Sequence, residues 1–305
     1  MLSLKEIIER GVTNYRDKDR DEEADEANVI RGSNTPLLYH GDFVCDAAAH
    51  CPRLGLARML HLPTDFPKTF KDLASHAYGR AMEALVKDLV IAANVEGLAT
   101  AEEAGYAVKV QDAEGNIIYS ARPDLVVFYN GVPLYPCEFK SIQSDNTAQV
   151  IYQQSTPKLG ACLQIAAQMH FHDIEAGEIM YIQGHYISGY SMKTKLKYKF
   201  DPGYKIFDVR FDSEGTLVLG MKPTIINRHN LESGISLLNE MYRHGEMPAK
   251  RPHSIDIFGR ASPYNCCEYC NYGSMKTGVC TRAENIEDGL TIQGFSDIVR
   301  EAFQP

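Results

Sequence analysis

Asp124 follows Pro123 at the head of one apolar run, and Glu138, Phe139 and Lys140 close the next; the chain reads PDLVVFY, then NG, then VPLYPCEFK. Two β-rich runs separated by Asn130-Gly131 predict a hairpin with a tight two-residue turn. Asp124 and Glu138 therefore fall on neighbouring strands. Strand alternation sends Glu138 and Lys140 to one face and Phe139 to the opposite, packed face. Two carboxylates and an ammonium thus converge on one point. A hard divalent cation, Mg²⁺ or Mn²⁺, takes one or two such carboxylates and keeps positions for waters and a phosphate. It lowers the pKa of a bound water and neutralises charge on the phosphate. An ammonium beside it would hold or deprotonate the attacking water and offset charge in the transition state. This mixture of residues is suited to metal-dependent hydrolysis of a phosphodiester.

Such a centre needs a helix in front of the sheet and another behind it. From Phe70 to Ala93 the stretch FKDLASHAYGRAMEALVKDLVIAA repeats apolar residues at Leu73, Ala77, Ala81, Leu85 and Leu89, which predicts a helix. His76 and Glu83 lie about two turns apart on it, so they share a face and either can approach the centre. After the hairpin, PKLGACLQIAAQMHF from Pro157 carries Gln164 and Gln168 within a helix expected over 147–172. Elsewhere LKEIIERGVTNY predicts an N-terminal helix and RDKDRDEEADEAN a charged linker. AVKVQDA and NIIYSA read as strands around Glu114-Gly115-Asn116, and EIMYIQGHYISGY and KIFDVRFD as further strand-like runs. A helix is expected near 223–245 and a last short one in GFSDIVREAF. Between Lys193 and Lys199, KTKLKYK alternates Lys with Thr, Leu and Tyr and reads as a strand with one basic face. That face is either a DNA contact or an edge strand guarded by lysines. Arg80, Lys87 and Lys158 are further basic candidates.

PD at 123–124 with EFK at 138–140 resembles the PD-(D/E)xK nuclease superfamily. The resemblance implies a restriction-endonuclease-like α/β core, a mixed central sheet flanked by helices. It implies that Asp124 and Glu138 bind Mg²⁺ or Mn²⁺, that the carbonyl of Phe139 completes the shell, and that Lys140 serves the water and the transition state. Gly79-x3-Glu83 resembles the first motif of the superfamily, making Glu83 the third ligand. His76 is its rival, since RecB-like members use a His at the related place. RecB-type relatives also carry Gln-hydrophobic-x-x-Tyr on the helix after the sheet; Gln164 matches the Gln, while Gln168 stands where the Tyr is usual.

Eight cysteines occupy positions 45, 51, 137, 162, 266, 267, 270 and 280. The cluster NCCEYCNY followed by Cys280 has the density of a metal site. No signal peptide pattern and no bilayer-spanning apolar stretch is present, so a cytoplasmic location and reduced thiols are expected. One Cys before the core and three after it resemble the iron-sulfur-stapled nucleases of the AddB type and the CRISPR-associated RecB-like exonucleases. The resemblance implies a [4Fe-4S] cluster on Cys51, Cys267, Cys270 and Cys280, stapling the N- and C-terminal segments of the domain. Cys266, adjacent to Cys267, leaves that register open, and four thiolates would equally suit Zn²⁺. Cys137 and Cys162 lie in apolar runs and read as core, and Cys45 has no assigned role.

At 305 residues, 44% hydrophobic and 23% charged, the composition is that of a globular protein with a substantial core. The net charge of −9 leaves room only for a local DNA groove. The expected layout is an N-terminal helix and charged linker over 1–44, a nuclease domain with its cysteine staple over 45–282 and a tail over 283–305. The expected activity is DNA cleavage, as an exonuclease in recombination, repair, phage DNA processing or CRISPR adaptation. Expected partners are DNA, single-stranded or at duplex ends, together with a second copy of the chain or a recombination or CRISPR protein, and no membrane. The competing reading is a non-catalytic nucleic-acid-binding or scaffold protein with a degenerate core and a structural zinc. Retention of Asp, Glu and Lys together speaks against it. A nuclease of the restriction or junction-resolving kind is a third reading.

Overall fold

The computed structural model describes residues 29–45, 51–62, 70–93, 96–101, 107–192, 195–249, 255–261, 279–280 and 290–302. In chain order these form β1 (Ile30–Arg31), β2 (Leu37–Tyr39), β3 (Asp42–Val44), α1 (Pro52–Met59), α2 (Phe70–Ala92), β4 (Leu98–Ala101), β5 (Val108–Gln111) and β6 (Ile117–Ala121). Then come β7 (Leu125–Tyr129), β8 (Val132–Ser141), α3 (Asp145–Ala148), a π-helical turn (Gln149–Gln153), α4 (Leu159–Phe171), β9 (Ala176–Gln183), β10 (Ile187–Tyr190), β11 (Lys197–Phe200) and β12 (Gly203–Phe211). The last elements are β13 (Thr216–Leu219), β14 (Lys222–Asn227), α5 (Arg228–His244) and α6 (Ile292–Ala302). The predicted N-terminal helix and charged linker lie outside the described residues.

The Asn130-Gly131 turn organises the centre. Both residues have positive φ, 50° and 79°, as a two-residue turn matched to strand twist requires. It pairs β7 with β8 so that Leu125 faces Cys137. The sheet then extends in the order β14-β13-β12-β9-β8-β7-β4. Its β8–β9 pair is parallel, with Glu138 beside Ile179 and Lys140 beside Tyr181, and its other pairs are antiparallel. The mixed sheet flanked by helices expected from the sequence is therefore present. A parallel pair needs a crossover, supplied here by α3, the π-helical turn and α4. That crossover is not the continuous helix expected over 147–172. Pro157 lacks a donor and biases its predecessor away from helical torsions, so α4 starts afresh at Leu159.

Helix α4 is buried along most of its length and lies directly on β9. At Gly177 a Cβ would come within 2.7 Å of Met169 Sδ and 2.8 Å of Ile165 Cγ1, so the absence of a side chain there permits the approach. On the opposite sheet face Leu125, Val127 and Cys137 are buried under Val90 of α2, with Phe139 and Tyr135 beside them. The helix expected near 223–245 begins only at Arg228, because Lys222–Asn227 pairs with β13 as a strand. Asn227 ends that strand and caps the helix, its Oδ1 accepting from His229 N at 2.9 Å. Segments 30–44 and 292–302 both join the core, through Ile30, Leu37, Phe295 and Val299. Among the described residues no helix is long and apolar enough to cross a membrane.

Candidate active site

Asp124 sits just before β7, where its Oδ2 accepts from Phe139 N at 2.6 Å. That bond ties the first carboxylate to the strand carrying the second. Glu138 is only 1% exposed, and a carboxylate so buried needs partners for both oxygens. Lys140 Nζ donates to Oε1, from the same strand face two residues on. Gln168 Nε2 of α4 donates to Oε2 at 3.1 Å and also to Arg122 O at 3.1 Å. The other end of the amide, Gln168 Oε1, is buried without a hydrogen-bond partner among the described residues. Phe139 packs on the far face as the alternation requires.

The preceding helix supplies Glu83. It is half-buried and pairs with Lys87 one turn on at 2.8 Å, and its charge acts on both Asp124 and Lys140. His76, on the same helix, is exposed, and its charge is not among those acting on Asp124 or Lys140. Helix α2 meets the end of β8 where Gln143 Nε2 donates to Ser75 O at 3.1 Å. At Gly79 a Cβ would lie 3.7 Å from Ser141 Oγ. On α4 Gln168 bonds to Glu138, while Gln164 is half-buried on the same helix. The signal for Gln168 was there to find: a polar residue inside the apolar run ACLQIAAQM of a buried helix needs a buried partner.

Negative charge is in excess. Burial pushes the Asp124 carboxyl well above its ordinary range, and the charges of Glu138 and Glu83 push it further. The Lys140 ammonium and the Phe139 N–H pull it back only in part. For Lys140 burial works against the charge, yet Glu138, Asp124 and Glu83 together raise its pKa. The ammonium is thus held protonated. Among the described residues no three His, Cys, Asp or Glu side chains form a ready-made metal cage. Each carboxylate is instead held by a protein donor: Asp124 by Phe139 N–H, Glu138 by Lys140 and Gln168, Glu83 by Lys87. Three mutually repelling carboxylates that outnumber the Lys140 and Lys87 ammonium groups beside them are a donor set that fits a hard divalent cation.

No family model and no curated protein matches the sequence. Among solved structures the chain is similar to SSO0001, at 12% identity and a TM-score of 0.43, over 88% of this chain and 96% of that one. It is also similar to the alkaline exonuclease LHK-Exo from Laribacter hongkongensis, at 12% identity and a TM-score of 0.40, over 72% of this chain and 91% of that one. LHK-Exo in complex with dAMP gives 14% identity and a TM-score of 0.35, over 56% and 69% respectively. The chemistry of the site rests on its own geometry.

Cys266, Cys267 and Cys270 lie outside the described residues. Cys51 precedes α1, half-buried, and packs against both Cys45 and the main core. Cys280 is buried in that same core. Segments distant in sequence meet nearby: Arg53 Nε donates to Pro248 O at 2.6 Å, and Ile255 N donates to Cys45 O at 3.3 Å. Cys137 and Cys162 are buried, at 4% and 1% exposure, as expected of core residues.

Proposed function

We propose that this chain is a metal-dependent deoxyribonuclease of the PD-(D/E)xK kind, acting as an exonuclease in recombination, repair, phage DNA processing or CRISPR adaptation. The observation that carries the reading is the buried Glu138, bonded to Lys140 on one oxygen and Gln168 on the other, beside an Asp124 whose ionisation is opposed by its neighbours. Asp124, Glu138, Glu83 and the Phe139 carbonyl would hold Mg²⁺ or Mn²⁺, which when bound supplies charge neutralisation and an acidified water. Gln168 fixes the plane of the Glu138 carboxylate. Phe139 N–H fixes Asp124 against the same strand. Lys140, held protonated by the carboxylates around it, acts as a hydrogen-bond donor to the attacking water and to the phosphate oxygens, offsetting the charge that develops there. The base role open at the level of sequence is the less fitting one for a lysine whose pKa is raised.

The cysteines would form the staple, a [4Fe-4S] cluster on Cys51, Cys267, Cys270 and Cys280, with Zn²⁺ as the other metal the thiolates suit. Support comes from Cys51 and Cys280 entering one core and from the bonds joining 45–53 to 248–255. The activity is tested by a time course with Mn²⁺ on end-labelled linear, circular and single-stranded DNA. Release of short products from ends, with circles left intact, is expected. Nicked circles would make it an endonuclease, and intact substrates throughout would overturn the nuclease reading.

A further inference from the structure

The basic run near Lys199 has no part in the centre, yet the hairpin that carries it rests on the helix that bears Glu83. β10 and β11 pair antiparallel, with Ser188 opposite Lys199 and Tyr190 opposite Lys197. Directly opposite residues share a face. The inner face seats Ile187, 3% exposed, together with half-buried Tyr198 and Phe200, the last stacked on Tyr152 at 4.9 Å. The outer face is open. Tyr190 is 54% exposed and Tyr186, just before β10, 53%, while Lys197 and Lys199 are exposed beside them. Lys199 Nζ lies 5.2 Å from the centre of the Tyr186 ring. Its ion pair with Asp201, 3.5 Å between two exposed side chains, is of the weak kind that a phosphate readily replaces.

Two features exclude a bland explanation. An edge strand guarded against aggregation needs lysines, but it does not need two large tyrosines left in water on the same face. From Gly184 to Phe200 the chain also carries four lysines and no acidic residue, in a protein of net charge −9. Local positive charge interleaved with exposed aromatic rings is the composition that tracks a phosphate backbone while stacking its bases. Rings of this sort accept a base only where it is unpaired, which selects a single strand over a duplex.

The hairpin is footed on the helix that bears Glu83. Gly184 N donates to Tyr78 Oη at 2.6 Å, and His185 meets the Tyr78 ring edge-on at 5.9 Å. A Cβ at Gly184 would come 3.1 Å from the sulfur of Met82, the neighbour of Glu83 in sequence. We propose that the outer face of the β10–β11 hairpin is a docking surface for single-stranded nucleic acid, with Tyr186 and Tyr190 stacking bases and Lys197 and Lys199 meeting phosphates. Resting on the nuclease reading, this face guides the strand towards the carboxylate centre.

The test uses the full chain and two independent pairs of substitutions, Tyr186→Ser with Tyr190→Ser and Lys197→Gln with Lys199→Gln. Binding of fluorescein-labelled oligo-dT is followed by anisotropy in EDTA, which prevents cleavage. Each pair should weaken binding by about tenfold or more. The lysine pair should also flatten the plot of log affinity against log salt by about 1.4, two phosphate contacts at about 0.7 each. A blunt duplex of equal length should bind more weakly and ignore the tyrosine pair. Hydrolysis of bis-p-nitrophenyl phosphate with Mn²⁺ reads the centre alone, since so small a diester does not reach the hairpin, and both variants should keep the wild-type rate. Should wild type leave that diester intact while the binding arm behaves as expected, the nuclease reading fails and the docking surface stands. Wild-type oligo-dT affinity in either folded variant, or an equal loss for duplex and single strand, overturns the docking surface. Because the pairs are independent, a pair that misfolds leaves the other to decide.

Discussion

At the scale of single residues, the site is a balance between burial and charge. Asp124 is raised in the folded chain, first by burial and then by Glu138 and Glu83. The sign of the linkage follows: its contribution to stability is fully present below the ordinary carboxylate pKa and is lost as pH rises through the folded value. In chelator, Asp124→Asn should therefore melt above wild type at alkaline pH, with the gap closing under acid conditions; a wild type that melts higher at pH 8 would contradict this electrostatic account. Glu83 and His76 separate as sharply. Glu83 is half-buried and acts on Asp124 and Lys140, whereas His76 is exposed. Glu83→Ala should cost about a hundredfold or more in Mn²⁺-dependent turnover, the scale of losing a ligand or its support, while His76→Ala stays near wild type. The reverse order in steady-state assays would move the ligand role to His76.

At the scale of elements, the hairpin was legible and the crossover was not. PDLVVFY-NG-VPLYPCEFK names its own turn, and a local turn fixes register, so the meeting of Asp124, Glu138 and Lys140 followed from sequence alone. Helix α2 was legible for a similar reason, its apolar repeat being long. Gln168 was missed because its contact with Glu138 depends on how close α4 lies to β9, and that closeness is decided at Gly177, far from either motif. β14 falls within the helix expected near 223–245 because KPTIIN, at six residues, is too short for periodicity to divide between the two states. The crossover yields a direct prediction. Gly177→Val would drive methyl groups against Ile165 and Met169, costing about 1–3 kcal/mol in urea melts. Activity should fall further than stability accounts for, as α4 lifts and Gln168 loses Glu138. Unchanged turnover in a folded Gly177→Val protein would show that Gln168 does not position the carboxylate.

At the scale of the molecule, an acidic chain brings residues 45–53 and 248–255 together beside one core. A metal centre on Cys51 and on Cys267, Cys270 and Cys280 would close a loop of over two hundred residues. Loop entropy grows slowly with such lengths, so the metal–thiolate bonds themselves would carry most of the stabilisation. Protein purified without oxygen should be brown, with iron and sulfide each about four per chain, and Cys51→Ser should bleach it and lower its melting temperature. Colourless protein with one zinc would keep the staple and replace the cluster; metal-free protein of unchanged stability would remove both. The central claim, that Asp124, Glu138 and Lys140 form one phosphodiester-cleaving centre, is tested most directly by cleavage of end-labelled single-stranded DNA across a Mn²⁺ titration. Wild type should cleave, Glu138→Ala should not at any Mn²⁺ concentration, and Lys140→Ala should saturate at a similar Mn²⁺ concentration while turning over about a hundredfold slower or less. Wild-type rates from folded Glu138→Ala protein would contradict the claim outright.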